Sequence, residues 1–153
     1  MSIDNIKELM DQFDPAALLP DLTTVMGKVE LVTRIAVLAG PIVLLVLGLL
    51  YFFAAPKEAN YHFGYRCYHG MGSVEAWRFT QRLAGIIWAL LGLALTGVML
   101  LITSGFGGKA IMDVIGSGVT CLIWEVALVA VSCLVINLLV TLRYNRRGER
   151  RGQ

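Results

Sequence analysis

His62, Cys67 and His69 lie close enough along the chain to raise metal or thiol chemistry first. A zinc site needs a full ligand set in a recognised spacing. The pattern H-x4-C-x-H matches none, and no fourth ligand is apparent. No catalytic constellation surrounds Cys67. The chain holds no HExxH, no GxSxG and no glycine-rich phosphate loop between a strand and a helix. Cys121 and Cys133 are about 12 residues apart on one predicted helix, too far for a disulfide between them, so three free thiols are expected. These residues predict a protein that is not an enzyme and holds no metal or cofactor.

The second chemical feature is a pair of isolated charges. Arg34 and Glu125 border or interrupt stretches that are otherwise almost free of charge. The first stretch, IAVLAGPIVLLVLGLLYFFAAP, runs between Arg34 and Lys57. The second, LAGIIWALLGLALTGVMLLITSGFGG, runs between Arg82 and Lys109. The third extends from about Gly118 to Leu142 and carries only Glu125. About 20 mostly apolar residues cross ~30 Å of hydrocarbon as a helix. All three stretches qualify, and the predicted spans are about 33–55, 83–104 and 118–142. Counted from their inner ends, Arg34 lies roughly 32 Å and Glu125 roughly 26 Å up their helices. An arginine side chain can bridge that difference, so an Arg34–Glu125 ion pair is one expectation. The other is that Arg34 snorkels to headgroups while Glu125 faces water or carries a proton.

Composition agrees with a membrane protein. Of 153 residues, 57% are apolar and 16% charged, and the mean hydropathy is +0.70. Soluble chains average about 45–50% apolar and ~25% charged, so a disordered chain and an ordinary soluble enzyme are both disfavoured. The first 30 residues hold six acids against two lysines, unlike a secretory signal. Four basic residues (Lys57, Arg66, Arg78, Arg82) lie in the loop 56–82. The next loop has only Lys109, and the tail has five (Arg143, Arg146, Arg147, Arg150, Arg151). Three spans put the first loop and the tail on one side, and the basic residues put that side inside. The prediction is an N-terminus outside and a C-terminus inside a bacterial plasma membrane. The tail's charge suits anionic headgroups or simply fixes topology, and no nucleic-acid surface is expected.

The predicted fold is all-α: an acidic tail over 1–30, a three-span membrane domain over 31–145 and a basic tail over 146–153. Ile3, Ile6, Leu9 and Phe13 recur at helical spacing, and Asp14-Pro15 and Pro20-Asp21 read as helix starts. Short amphipathic helices on the membrane surface are therefore expected in the N-terminal tail. Gly85, Ala89, Gly92 and Thr96 line one face of span two, and Ala127, Ala130, Asn137 and Thr141 a face of span three. Small residues at such spacing admit a neighbouring helix closely, giving a compact bundle or a dimer surface. Gly40-Pro41 interrupts span one, as membrane helices tolerate.

The inner loop is unusually rich in chemistry: PKEANYHFGYRCYHGMGSVEAWRFTQRLAG. Ser73 is a natural helix N-cap, with Glu75 in the first turn where the dipole favours an acid. The helix should start near Val74 and place Trp77 at headgroup level. Arg78 and Arg82 share a face and should meet phosphates unless one pairs with Glu75. Asn60-Tyr-His-Phe63-Gly64-Tyr65-Arg66, followed by Ser73-Val-Glu75-Ala-Trp77 and a span, resembles the SdpI family of bacterial membrane proteins. Their pattern runs roughly N-x-x-F-G-[YI]-R-T, a gap, then S-x-E-x-W. Cys67 stands where that family usually has threonine, and the founding member carries further spans ahead of this region.

The resemblance implies a function. The founding member protects its cell from a secreted toxic peptide and, when the toxin is present, holds a small repressor at the membrane. The matching positions here are Asn60, Phe63, Gly64, Tyr65, Arg66, Ser73, Glu75 and Trp77. Arg66 can offer bidentate hydrogen bonds, with Glu75 as a partner. The expected partners are membrane lipid, a toxic peptide or a cytoplasmic repressor-like protein, and a second copy of the chain. A small accessory subunit of a larger membrane complex is the alternative, and a transporter is less favoured.

Overall fold

The computed structural model describes residues 22–56 and 63–151. Three helices follow in order: α1 (Leu22–Phe53), α2 (Val74–Ser104) and α3 (Ile111–Arg143). They hold 32, 31 and 33 residues, or roughly 46–50 Å each. All three are long and apolar enough to cross a membrane. Most of their large apolar side chains face outward, as lipid rather than water demands. The chain is an all-α, multi-pass membrane protein. The expected N-terminal surface helices, and Asn60 in the loop, lie outside the described residues.

The helices outrun the apolar windows. α1 and α3 begin well before residues 33 and 118, because a helix continues its backbone bonding into polar flanks after the hydrocarbon ends. α2 starts at Val74 as its cap dictates: the Ser73 hydroxyl accepts from the Ala76 amide at 3.1 Å. The connection at this end therefore spans only 54–73. At the opposite end, residues 105–110 turn the chain around a buried Phe106.

α1 and α2 run antiparallel and approach backbone to backbone. A Cβ at Gly92 would stand 2.5 Å from the Leu45 amide nitrogen, and one at Gly85 2.7 Å from that of Phe52. Gly48 meets Ala89 in the same way. The face Gly85–Ala89–Gly92 read from the sequence is thus the α1 contact, and Thr96 turns its hydroxyl back to the Gly92 carbonyl at 2.7 Å.

α3 packs with a different face from the one expected. Its buried residues include Gly118, Cys121, Glu125, Ser132, Ile136 and Val140, while Ala127, Ala130 and Asn137 are exposed. The register is set where Gly118 admits Thr33 of α1 and where the Trp88 indole donates to the Ser132 hydroxyl at 3.1 Å. The buried face mixes small and large residues, because it meets α1 at Gly118 and α2 at Ser132.

Arg34 does not reach Glu125. It pairs with Glu30, one turn earlier on α1, a partner that needs no crossing between helices. Glu125 instead lies against Gly40, roughly 9 Å further along α1 than Arg34.

Two apolar clusters hold the bundle. Val37, Leu44, Leu95, Met99 and Cys121 form one within the spans. Ala76, Ala84, Ile136, Val140 and Tyr144 form the other beneath the loop.

Candidate functional site

The loop end is assembled around one stripe of α2. Trp77, Gln81, Ala84 and Trp88 recur at helical spacing, so they share a face. Trp77 is fully buried, and its indole N–H donates to the Pro56 carbonyl at 2.9 Å. This corrects the expectation of a headgroup anchor: the indole lies under the loop and ties its start to α2.

Gly64 crosses directly over that ring. Its φ is 121°, a conformation that favours glycine, and a Cβ would stand 2.7 Å from the Trp77 ring. The next residue is clamped by an amide pair. The Tyr65 N–H donates to Gln81 Oε1 at 2.8 Å, and Gln81 Nε2 donates to the Tyr65 carbonyl at 2.7 Å. The Tyr65 hydroxyl reaches the Cys133 carbonyl on α3 at 3.2 Å, and its ring meets Trp88 edge-on at 5.4 Å. Burial pushes the Tyr65 phenol well above its ordinary pKa, so it stays a hydroxyl donor. Phe63 packs edge-on against Tyr51 at 5.4 Å. His69 approaches the Thr141 hydroxyl at 3.2 Å.

The C-terminal segment closes this loop. Asn145 Oδ1 accepts from the amides of Arg147 and Glu149 at 2.8 and 3.0 Å, and Tyr144 bridges to Arg150 in antiparallel fashion. The resulting hairpin turns at Gly148, where φ is 75°. Ser73 donates its hydroxyl to the Gly148 carbonyl at 2.7 Å. A Cβ at Gly72 would stand 2.6 Å from the Gly148 amide nitrogen. Ser73 is therefore both helix cap and hairpin dock. Glu75, expected beside Arg66, pairs with Arg150 at 2.6 Å.

Arginines frame the outer surface. Arg78 and Arg82 stand one turn apart and border two grooves. One, of about 410 Å³, includes Tyr51, Pro56 and Gln81. The other, of about 510 Å³, includes Glu75, Phe79, Tyr144 and Arg150. Arg143 lies over the Phe79 ring at 4.4 Å, which fixes the floor of the second groove. Exposed Arg66 and Tyr68 lie on the same loop. A guanidinium group can bind a carboxylate or phosphate through paired N–H donors.

Sequence reasoning named the loop's residues but missed Gln81, Trp88, Gly148 and Arg150. Gln81 had a signal: it is the polar residue on an otherwise apolar stripe. The Asn145-x-x-Gly148 turn had a weaker one, hidden inside a run of arginines.

Cys67 is half-buried, with its sulfur 4.0 Å from the Thr80 hydroxyl. Burial pushes the thiol up, against smaller opposing effects from the Gly70 backbone and Thr80. Its thiolate fraction near neutral pH is thus smaller than that of an unfolded cysteine. Peptide-resolved alkylation by iodoacetamide should show a Cys67 midpoint above that of the denatured chain. An equal or lower midpoint contradicts this. Among the described residues, no group of His, Cys, Asp and Glu is placed to hold a metal ion.

Residues 57–141 match the family model described as the SdpI/YfhL protein family. The match takes in the loop, α2 and most of α3, whereas α1 and the C-terminal hairpin lie outside it. No curated protein and no solved structure matches the chain.

Proposed function

The chain belongs to the SdpI/YfhL protein family, and from that membership we propose a non-enzymatic immunity or signalling protein that binds a toxic peptide or a cytoplasmic regulator. The binding face is the loop end, and the protein sits in a bacterial plasma membrane with that end in the cytoplasm. The observation that carries this reading is the arginine-framed surface at the loop end, where motif residues hold the loop and Arg78 and Arg82 of α2 border it. Gly64, Tyr65, Ser73 and Trp77 lock the loop from beneath, which leaves Arg66, Arg78 and Arg82 presented outward. Basic residues at this end outnumber Lys28, Arg34 and Lys109 at the other, which supports the orientation. The recognised group is then anionic: an acidic segment or the carboxyl terminus of the partner.

The test is survival. A sensitive bacterium expressing wild type, Arg78→Glu or Arg82→Glu at equal membrane levels is challenged with peptides secreted by the native host and its neighbours. Wild type should protect, and the charge reversals should lose most of that protection. Equal survival of wild type and both variants contradicts the proposed face.

A further inference from the structure

A second site lies away from the loop, within the membrane. Between α1 and α3 opens a cleft of about 300 Å³, lined by Gly40, Pro41, Leu44, Leu95, Glu125 and Val129 among others. This is at the small end of ligand-sized pockets. Among the described residues that line it, only Glu125 is charged, and it is 6% exposed. Counted along α3, Glu125 stands roughly 21 Å from Ile111 and roughly 27 Å from Arg143, near the middle of the helix.

The carboxyl is set into the wall, and its Oε1 atom is buried without a hydrogen-bond partner. Gly40 makes the room, because a Cβ there would stand 2.6 Å from Oε2. The nearest expected cation, Arg34, is engaged by Glu30 instead. A buried acceptor without a donor is costly, and an ionisable group inside a span more so.

We propose that this cleft binds a lipophilic primary amine, with its ammonium against Glu125 and its alkyl chain along the apolar wall. An ammonium supplies the missing donors and cancels the carboxylate's charge, so the pair enters hydrocarbon without net charge. A hydroxyl would supply a donor but leave the charge uncompensated. The volume fits one alkyl chain rather than a two-chain lipid. This site is independent of the loop reading, since none of its lining residues belongs to the loop end.

The probe is dodecylamine, with dodecanol as the uncharged comparison. The full chain is placed in phosphatidylcholine nanodiscs, and bound ligand is counted by native mass spectrometry against empty nanodiscs. Wild type should bind one dodecylamine saturably and dodecanol far more weakly. Glu125→Gln, which keeps the shape, should weaken dodecylamine by about tenfold or more. Val43→Trp supplies a second test: Val43 borders the cleft and is mostly exposed, so the larger ring narrows it while Glu125 stays in place. Dodecylamine binding should fall there too, with α-helical content unchanged. Absence of saturable binding to wild type overturns the proposal. So does equal binding by Glu125→Gln, equal binding of dodecanol, or undiminished binding by Val43→Trp.

Discussion

Trp77→Ala should cost about 3–5 kcal/mol of stability, the range for emptying a large aromatic site in a core. The indole is fully buried, Gly64 crosses its face, and its N–H holds the Pro56 carbonyl. Removing it leaves a cavity beneath the loop and a carbonyl without its donor. Trp77→Phe restores much of the ring but not the N–H, so about 1 kcal/mol should remain lost. Unfolding of the purified chain in a sodium dodecyl sulfate titration reads both values. Limited proteolysis should show cleavage in residues 54–73 rising in Trp77→Ala first. A headgroup anchor would behave differently: alanine would leave unfolding and loop protection nearly unchanged.

Gly92→Val should destabilise the bundle by about 3 kcal/mol, at the upper end for overpacking. The reason is that its neighbour is backbone: the new Cβ would meet the Leu45 amide nitrogen and Cα at 2.5 and 2.8 Å. A side chain can rotate away from such a contact, whereas α1 must move as a whole. That movement would also open the contacts of Gly85 and Gly48 on the same seam. Gly97→Val is the control, because a Cβ at Gly97 meets nothing within 4 Å. The same titration should show Gly97→Val within about 0.5 kcal/mol of wild type. Equal losses in both variants would show that helix propensity, not the close approach, sets the effect.

What was legible in the sequence followed from local rules. Length and apolarity located three spans, because lipid leaves few other solutions for such stretches. Ser73 was readable as a cap because an N-cap needs only its own turn. The Gly85–Ala89–Gly92 face was readable because small residues at helical steps leave one obvious place for a close neighbour. The same reasoning misplaced the face of α3, where Ala127 and Ala130 look equally suitable. Their exposure is decided by Gly118 meeting Thr33 and Trp88 meeting Ser132, which are choices between helices that no single stripe records. Glu125 stood out as the one charge in its apolar stretch, but its neighbour depended on the register of α1 against α3.

The candidate site divides in the same way. The motif residues were visible, but their roles depended on what lay above and below them. Trp77 became a support because the loop folds over it. Glu75 found Arg150 rather than Arg66 because the C-terminal hairpin docks on Ser73. A basic tail carries no signal of that docking beyond Asn145 and Gly148, which set its turn.

The proposed function has the loop end meet the protein's partner. Site-specific photocrosslinking tests it most directly. A photoreactive phenylalanine analogue replaces Tyr68, which is 73% exposed on the loop, or Leu101, which is 77% exposed near the opposite end of α2. Each is expressed in cells of the native host and irradiated with and without secreted peptides. A discrete adduct with a peptide or a soluble protein is expected from position 68, absent from position 101 and lost when Arg82 is reversed to Glu. Adducts from position 101 alone, or an adduct at position 68 that survives Arg82→Glu, would contradict it.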